Sequence, residues 1–326
     1  MKIVFFGTPD FAANNLDYLI KNKYDIITVV TSPDSRKGRG KEIKPSAVKV
    51  LAEINSIPIL QPEKLQSDQF VAKLEDLNAD LFVIVAFRML PEVVWRIPKK
   101  GSMNLHTSLL PNYRGAAPIN WVLMNGERET GVSTFFVNHH IDTGAIIKQK
   151  KIEITNDITA AQLYSILLIE GNKIIISSID AIGNNSVILT PQQKNSNISV
   201  APKLTKALLK INWDKSAIEI HNLVRGLSPF AEHKRILKNI SIFPSAWFIL
   251  ENPNGEQKRI KLHLTRVIEL ETKNSLCIET DNKSYLNILT KKGVISILNL
   301  QAEGKKPMTI QQFLQGNKIT TTYKIK

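Results

Sequence analysis

The sequence has little of several features that identify particular classes of protein. Cys277 is the only cysteine among 326 residues, which excludes an intrachain disulfide and a zinc site built from cysteines. Hydrophobic residues make up 43% of the chain, as in globular proteins, but no apolar run reaches the roughly 18 residues that a membrane-spanning helix needs. The turn Gly7-Thr-Pro-Asp10 lacks the Gly-x-Gly-x-x-Gly pattern, which argues against a dinucleotide-dependent dehydrogenase.

The first residues also lack the pattern of a secretory signal peptide. The apolar stretch from Met1 to Gly7 is short, and no small-residue cleavage site follows it. We therefore expect a first β-strand that leads into a turn, and a cytoplasmic protein.

Acidic residues are scarce in the second part of the chain. Residues 1–189 hold 21 Lys and Arg against 19 Asp and Glu, a net charge of +2, whereas residues 190–326 hold 22 against 10, a net charge of +12. A nearly neutral part joined to a strongly basic part predicts a polyanionic partner such as a nucleic acid. The alternative is a chain rich in Lys, Ile and Asn whose lysines only keep the surface solvated.

The first part alternates strand-like and helix-like segments. The expected strands are residues 2–6, 25–31, 58–60 and 81–86, and the expected helices are residues 10–21, 46–54 and 68–77. This alternation predicts an α/β, Rossmann-like domain with a parallel sheet and crossover helices. Ligands of such sheets bind beyond the carboxyl ends of the strands.

After a helix that is predicted at residues 163–178, the pattern changes. Residues 190–204 are polar and contain proline, which predicts a linker between domains. A helix is expected at residues 216–225, and short strands are expected at residues 246–250, 260–264, 276–280, 285–290 and 294–301. Several short strands with little helix indicate a small β-barrel. The predicted domains are therefore residues 1–189 and 205–326.

The most informative stretch supplies an amide, an imidazole and a carboxylate from Asn104, His106 and Asp142. Acyl transfer to an amine needs hydrogen-bond donors for the charge that develops on the carbonyl oxygen, and a base for the proton of the amine. Asn104 and His106 are two residues apart, so on a strand their side chains share one face. Each residue alone is more often a cap, a turn residue or a satisfied core group.

Their occurrence together with further motifs makes the chain resemble the folate-dependent formyltransferases, and within that family the branch that acts on methionyl-tRNA. These motifs run in order along nearly the whole chain: Gly7-Thr-Pro-Asp-Phe-Ala12, Gly38-Arg-Gly-Lys41, Lys44-Pro-Ser46, Asn104-x-His106, Ser108-Leu-Leu-Pro111, Arg114-Gly-Ala-Ala-Pro118, Asp142-Thr-Gly144 and Ile211-Asn-Trp-Asp214.

The resemblance implies 10-formyltetrahydrofolate as formyl donor and the α-amine of methionine on initiator tRNA as acceptor, with no metal. It implies that Asn104, His106 and Asp142 are catalytic. It also implies an oligonucleotide-binding-type barrel in the second domain and a monomeric protein. The folate-binding residues would be Ser108, Leu109, Leu110 and Pro111, and the tRNA-binding residues would be Arg36, Arg39 and Lys41.

One segment departs from the family pattern. An Arg-Gly-Leu-Ser-Pro-aromatic element at residues 225–230 normally runs directly into a Pro-small-Ala-Trp element, here residues 244–247. Residues 231–243 stand between them and carry several basic side chains. A tolerated surface loop is the ordinary interpretation of such an insertion, and a basic loop facing RNA is the alternative.

Other functions compete with this interpretation. A glycinamide-ribonucleotide formyltransferase would share the three polar residues but would leave residues 205–326 without a role. An enzyme that formylates a nucleotide amino-sugar, or the hydrolase part of a formyltetrahydrofolate dehydrogenase, would share a second barrel but not the basic loop at residues 36–41. An RNA-binding protein with an inactive site would not need Asn104, His106 and Asp142 together.

Overall fold

The computed structural model describes residues 1–37, 42–193, 197–231, 242–268 and 276–326. Its helices are α1 (Asp10–Lys21), α2 (Ala47–Ile54), α3 (Asp68–Asp76), α4 (Glu92–Trp95), α5 (Pro118–Met124), α6 (Ala160–Gly183), α7 (Ala217–Leu227) and α8 (Ile310–Gln315), with a 3-10 turn at Ala207–Leu209.

The strands of the first half are β1 (Ile3–Gly7), β2 (Ile26–Val30), β3 (Ser35–Lys37), β4 (Glu42–Lys44), β5 (Ile59–Leu60), β6 (Leu81–Val85), β7 (Ser102–His106), β8 (Arg114–Gly115), β9 (Glu129–Phe136) and β10 (Ile146–Glu153). Those of the second half are β11 (Val200–Ala201), β12 (Ala246–Glu251), β13 (Gln257–Ile268), β14 (Cys277–Thr280), β15 (Leu286–Leu289), β16 (Val294–Ala302), β17 (Met308–Thr309) and β18 (Lys324–Ile325).

The described residues form two compact units, and neither unit is a single stretch of chain. The first unit consists of Met1–Gly115, Thr130–Ile152 and Ile166–Val200. The second unit consists of Ala116–Glu129, Glu153–Ser165 and Ala201–Lys326. The boundaries at residues 189 and 205 that the sequence suggests stay a prediction.

The first unit is built on a seven-stranded sheet in the order β10-β9-β7-β6-β1-β2-β5. β1 pairs in parallel with β2 and β6, and β6 pairs in parallel with β7, whereas β9 is antiparallel to β7. β1 and β6 are buried along their whole lengths, which explains why both read as continuous apolar runs. The carboxyl ends of β1, β6 and β7 therefore lie at the same edge of the sheet.

The second unit is built on an antiparallel sheet in the order β14-β15-β16-β13-β12-β18, with β17 beside β16. The long strand β13 pairs with both β12 and β16, and its register with β16 shifts near Leu264. Helix α7 begins with a capping box in which Ser216 and Glu219 satisfy each other's backbone amides. Asn120 on α5 donates to the carbonyl oxygen of Gly226, 2.8 Å away, and so holds α5 to α7.

The predicted fold class is confirmed: an α/β domain with a parallel sheet is followed by a small antiparallel β domain. The helix predicted at residues 163–178 is longer in the structure, where α6 spans Ala160–Gly183. β9, which is antiparallel to β7, was not among the predicted strands, because its almost wholly buried residues lack the alternation of a half-exposed strand. Within the described ranges, no helix is both long and apolar enough to cross a membrane.

Candidate active site

The site begins on β7, which ends at His106. Asn104 pairs with Ile84 on β6 and with Phe135 on β9, so the strand lies between two neighbours. Asn104 is half-buried, and its side chain makes no hydrogen bond to the part of the chain that the structure describes. The Asn104 amide is therefore available as a donor at the carboxyl edge of the sheet.

His106 is 8% exposed, and both of its ring nitrogens face defined groups. Nε2 lies 2.8 Å from the carbonyl oxygen of Tyr113. Because a carbonyl only accepts, Nε2 carries a proton and donates it. Nδ1 faces Asp142, with 3.8 Å between Nδ1 and Oδ2, which is longer than a hydrogen bond.

Two backbone positions that flank this histidine lie in the left-handed region. Tyr113 has a φ of 59° and Asp142 a φ of 54°. Such conformations are costly for bulky residues and persist where the surroundings hold them. Tyr113 is held because its N–H donates to the carbonyl oxygen of Ser199 at 2.6 Å. The backbone here is fixed in the shape that presents the Tyr113 carbonyl to His106.

Asp142 lies in the loop between β9 and β10. Its Oδ2 accepts a hydrogen bond of 2.9 Å from the backbone N–H of Gly115. Gly144, two residues later, has no room for a side chain, because a Cβ there would lie 1.5 Å from the carbonyl oxygen of Phe136. The Asp-Thr-Gly motif therefore needs its glycine for a steric reason and its aspartate for a chemical one.

Gln192 also holds the loop that carries Asp142. The sequence analysis placed this residue in the linker and missed its role in the site. Its Nε2 donates to the carbonyl oxygens of Asp142 and Gly144, at 3.0 and 2.8 Å. Its Oε1 accepts from Nε and Nη2 of Arg114, at 3.1 and 2.6 Å. The sequence gives only a weak signal for this role, because a glutamine in a polar segment is common.

Arg114 adds a positive charge near Asp142. Burial lowers the pKa of Arg114, and the Asp142 carboxylate opposes this lowering. The guanidinium and the carboxylate therefore attract each other. Arg114 appears in the sequence motif, but its link to Asp142 through Gln192 becomes visible only in the structure.

The predicted folate segment, Ser108–Pro111, follows His106 directly. Ser108 and Leu110 are buried, whereas Leu109 and Pro111 are half-buried, and the peptide bond between Leu110 and Pro111 is cis. Ser133 Oγ donates to the Ser108 carbonyl at 2.6 Å, and Gln149 Nε2 donates to the Leu110 carbonyl at 2.9 Å. The segment is thus firmly held, and Leu109 and Pro111 are the side chains that keep exposed surface.

A cavity of about 630 Å³ is formed by residues that follow β5 and β6, and its volume is that of an ordinary ligand site. Residues 64–67 and 88–91 line it, and they include the cationic side chains of Lys64 and Arg88. Both segments follow carboxyl ends of strands, where ligands of such sheets bind. No three side chains of His, Cys, Asp or Glu in the described ranges gather as metal ligands would.

The predicted tRNA-binding loop is described only at its ends. β3 and β4 pair as antiparallel strands, with Arg36 opposite Ile43. Arg39 and Lys41 lie outside the described residues, as do residues 232–241 of the insertion. β3 and β4 therefore flank the loop, and the contacts of Arg36, Arg39 and Lys41 stay predictions.

Family models match both halves of the chain. The formyl transferase family matches residues 1–179, and the formyl transferase C-terminal domain matches residues 203–318.

Two curated relatives cover almost the whole length. The methionyl-tRNA formyltransferase of Flavobacterium johnsoniae is 44% identical over 97% of this chain and 96% of its own. The methionyl-tRNA formyltransferase of Bacteroides fragilis is 39% identical over 100% of this chain and 98% of its own.

Solved structures with the same fold include other formyltransferases. WlaRD, a sugar 3N-formyl transferase crystallised with dTDP and 5-N-formyl-THF, is 25% identical with a TM-score of 0.64, over 94% of this chain and 99% of that one. An N-formyltransferase from Helicobacter canadensis has a TM-score of 0.62 at 23% identity, over 91% of this chain and 98% of that one. This similarity shows the fold alone. From the family models and the full-length relatives together, the chain belongs to the formyltransferase family and, within it, to the methionyl-tRNA formyltransferases.

Proposed function

We propose that the protein transfers the formyl group of 10-formyltetrahydrofolate to the α-amine of methionyl-initiator tRNA, giving formylmethionyl-tRNA for translation initiation. The observation that carries the proposal is the grouping of His106, Asp142 and Arg114 at the end of β7, in a chain 44% identical to a methionyl-tRNA formyltransferase. The strongly basic second part of the sequence supports a polyanionic acceptor.

The reaction moves the formyl carbon from a nitrogen of the donor to the α-amine, so no enzyme nucleophile is needed. Asn104, whose amide has no hydrogen-bond partner among the described residues, donates to the formyl oxygen as negative charge develops on it. His106 gives a second hydrogen bond through Nδ1, because its Nε2 proton is engaged by the Tyr113 carbonyl. A histidine that donates from both nitrogens is an imidazolium, and the Asp142 carboxylate 3.8 Å away stabilises that cation.

Asp142 takes the proton that the amine loses, through a water molecule, and returns it to the nitrogen of the leaving folate. The Gly115 N–H occupies Oδ2 of Asp142 from one side, which leaves the remaining oxygen for this transfer. Proton transfer by a positioned group contributes about 100- to 10,000-fold to such rates. Gln192, itself bound by Arg114, keeps the loop that bears the carboxylate in place.

The donor would be held by Ser108–Pro111, through backbone atoms and the exposed surfaces of Leu109 and Pro111. We propose that the cavity lined by residues 64–67 and 88–91 takes a further part of the folate, whose carboxylates suit Lys64. Arg36, Arg39 and Lys41 would contact the acceptor end of the tRNA, since arginine reaches bases and phosphates bidentately.

The remaining assignments complete the proposal. Residues 1–189 would form the catalytic domain, residues 190–204 the linker and residues 205–326 the tRNA-binding domain. We expect a cytoplasmic, monomeric enzyme, because translation initiation supplies its acceptor there.

One assay separates this function from those of other family members. The protein is incubated with labelled 10-formyltetrahydrofolate and either methionyl-initiator tRNA, an amino-sugar nucleotide or no acceptor. We expect label on the tRNA alone. Label on the sugar nucleotide, or release of free formate at the same rate without acceptor, would assign the protein to another branch of the family.

A further inference from the structure

In the second unit, the outer face of the sheet carries an aromatic ring set among cations. Trp247 on β12 lies directly opposite Lys261 on β13, and a β-bridge pairs it with Lys210. The Lys210 ammonium is 6.0 Å from the centre of the Trp247 ring, and the central carbon of the Arg259 guanidinium is 5.9 Å from it. We call Lys210, Trp247, Arg259 and Lys261 the Trp247 patch.

The alternation of β12 and β13 explains why the patch faces solvent. Phe248, which follows Trp247 on β12, and Ile260, which lies between Arg259 and Lys261 on β13, are buried in the core of the second unit. Successive side chains of a strand point to opposite faces, so Trp247, Arg259 and Lys261 lie on the outer face. Arg259 is 48% exposed.

The patch has more positive charge than its neighbours neutralise. β13 carries four Lys and Arg residues and no Asp or Glu. Among the described residues, one carboxylate forms an ion pair with the patch: Oε1 of Glu303 lies 3.6 Å from Nη2 of Arg259. Burial and the nearby Arg259 cation lower the pKa of Lys261. Cations held close against their mutual repulsion gain when an anion binds between them.

We propose that the Trp247 patch is a contact site for the RNA of the acceptor, in which the cations bind phosphates and the Trp247 ring stacks on an unpaired base. This inference rests on the proposed function, which supplies an RNA acceptor. Proteins that hold unpaired nucleotides combine a basic surface with aromatic rings, because every base has a face that stacks. Arginine beside the ring extends the flat surface, since a guanidinium also stacks on bases.

The test measures tRNA binding by fluorescence titration at several salt concentrations, together with formylation kinetics, on the full chain. The variants are Trp247→Leu, Trp247→Phe and Arg259→Gln. The matched control is Lys283→Gln, because Lys283 is exposed and lies between β14 and β15, at the other end of the strand order.

We expect Trp247→Leu to weaken tRNA binding about tenfold, which is the loss expected when one base no longer stacks. Trp247→Phe should weaken binding less than about threefold, because a ring is kept. Arg259→Gln should weaken binding about fivefold and reduce the salt slope by about one phosphate contact. Lys283→Gln should stay within about twofold of wild type, and kcat at saturating tRNA should be unchanged in all four variants.

The outcomes separate the two proposals. If the wild type formylates tRNA but the patch variants bind it as Lys283→Gln does, the patch is no RNA site and the proposed function stands. If the variants lose tRNA binding but the wild type transfers no formyl group to tRNA, the proposed function is wrong and the patch stands. Where Trp247→Leu also lowers thermal stability, Arg259→Gln decides, because it changes an exposed side chain.

Discussion

His106 and Asp142 in the first unit have side chains that are 8% and 12% exposed, and backbone groups fix both. Lys210 and Arg259 in the second unit are exposed and lie about an aromatic ring. A group that stabilises charge in a transition state is effective only when its position is fixed and water is excluded. A surface that binds a polyanion instead adds many small contributions from mobile cations. Single substitutions should therefore have large effects in the first region and small effects in the second.

The largest effect is expected from His106→Ala or Asp142→Ala. Each should lower kcat by about 100-fold or more while folate binding survives, because single oxyanion or proton-transfer groups contribute that much. Steady-state kinetics and folate titration provide the measurements, and His140→Ala, an exposed histidine of the same loop, is the control. A loss below about threefold in either variant would remove that residue from the mechanism.

Gln192→Ala should come next, with kcat about tenfold lower and the KM for tRNA unchanged, because the Asp142 loop loses two hydrogen bonds. Gln193→Ala is the matched control, since Gln193 is the exposed neighbour of the same residue type. A rise in the KM for tRNA with unchanged kcat would show instead that Gln192 acts in acceptor binding.

Arg39→Ala should raise the KM for tRNA several-fold, as the loss of one charge-assisted contact does. Slow hydrolysis of the formyl donor without tRNA should continue at the wild-type rate. Equal losses of transfer and hydrolysis would mean that Arg39 supports the fold or the folate site.

His263→Gln should have the smallest effect on transfer, and it tests a buried histidine on β13, the strand that bears Arg259 and Lys261. Burial, and secondly the Lys261 cation, lower the pKa of His263 from 6.5 to about 4. The folded protein then binds fewer protons than the unfolded chain. The stability that neutral His263 contributes is therefore fully present above pH 6.5 and is lost as the pH falls towards 4. Denaturant unfolding between pH 7 and about pH 4 should depend less on pH in the variant. The exposed His140→Gln should leave the dependence unchanged.

Much of the first unit was predictable because its strands and helices have clear periodicity. α1 begins and ends at the predicted residues, and β1 and β6 differ from prediction by one or two residues. β9 in the first unit and α5 in the second were not predicted, because almost wholly buried elements have no polar face to show the period of a strand or helix.

The candidate site was predictable in its residue types but not in its supports. Asn104, His106 and Asp142 follow from the chemistry and the motifs, and the structure brings His106 and Asp142 to 3.8 Å. The roles of the Tyr113 carbonyl and of Gln192 depend on backbone geometry and on contacts between residues far apart in sequence. A sequence pattern carries neither kind of information.

The two units interleave along the chain, so removal of the basic residues 190–326 would not test their charge alone. A chain ended near Pro191 would lack α7, and with it the Gly226 carbonyl that Asn120 on α5 binds. Such a chain would expose the buried side of α5, so it would lose packing contacts as well as positive charge. Substitution of surface cations in the full chain is therefore the sharper experiment.

The same interleaving sets an order of events during synthesis on the ribosome. Every segment of the first unit has been translated once Val200 is made, so that unit can fold while the rest of the chain is still being added. Residues 116–129 leave the exit tunnel among the segments of the first unit, yet their partner α7 is translated about a hundred residues later. For that interval the apolar residues of α5 lack the helix against which they pack, and exposed apolar surface of this kind makes incompletely folded chains prone to aggregate.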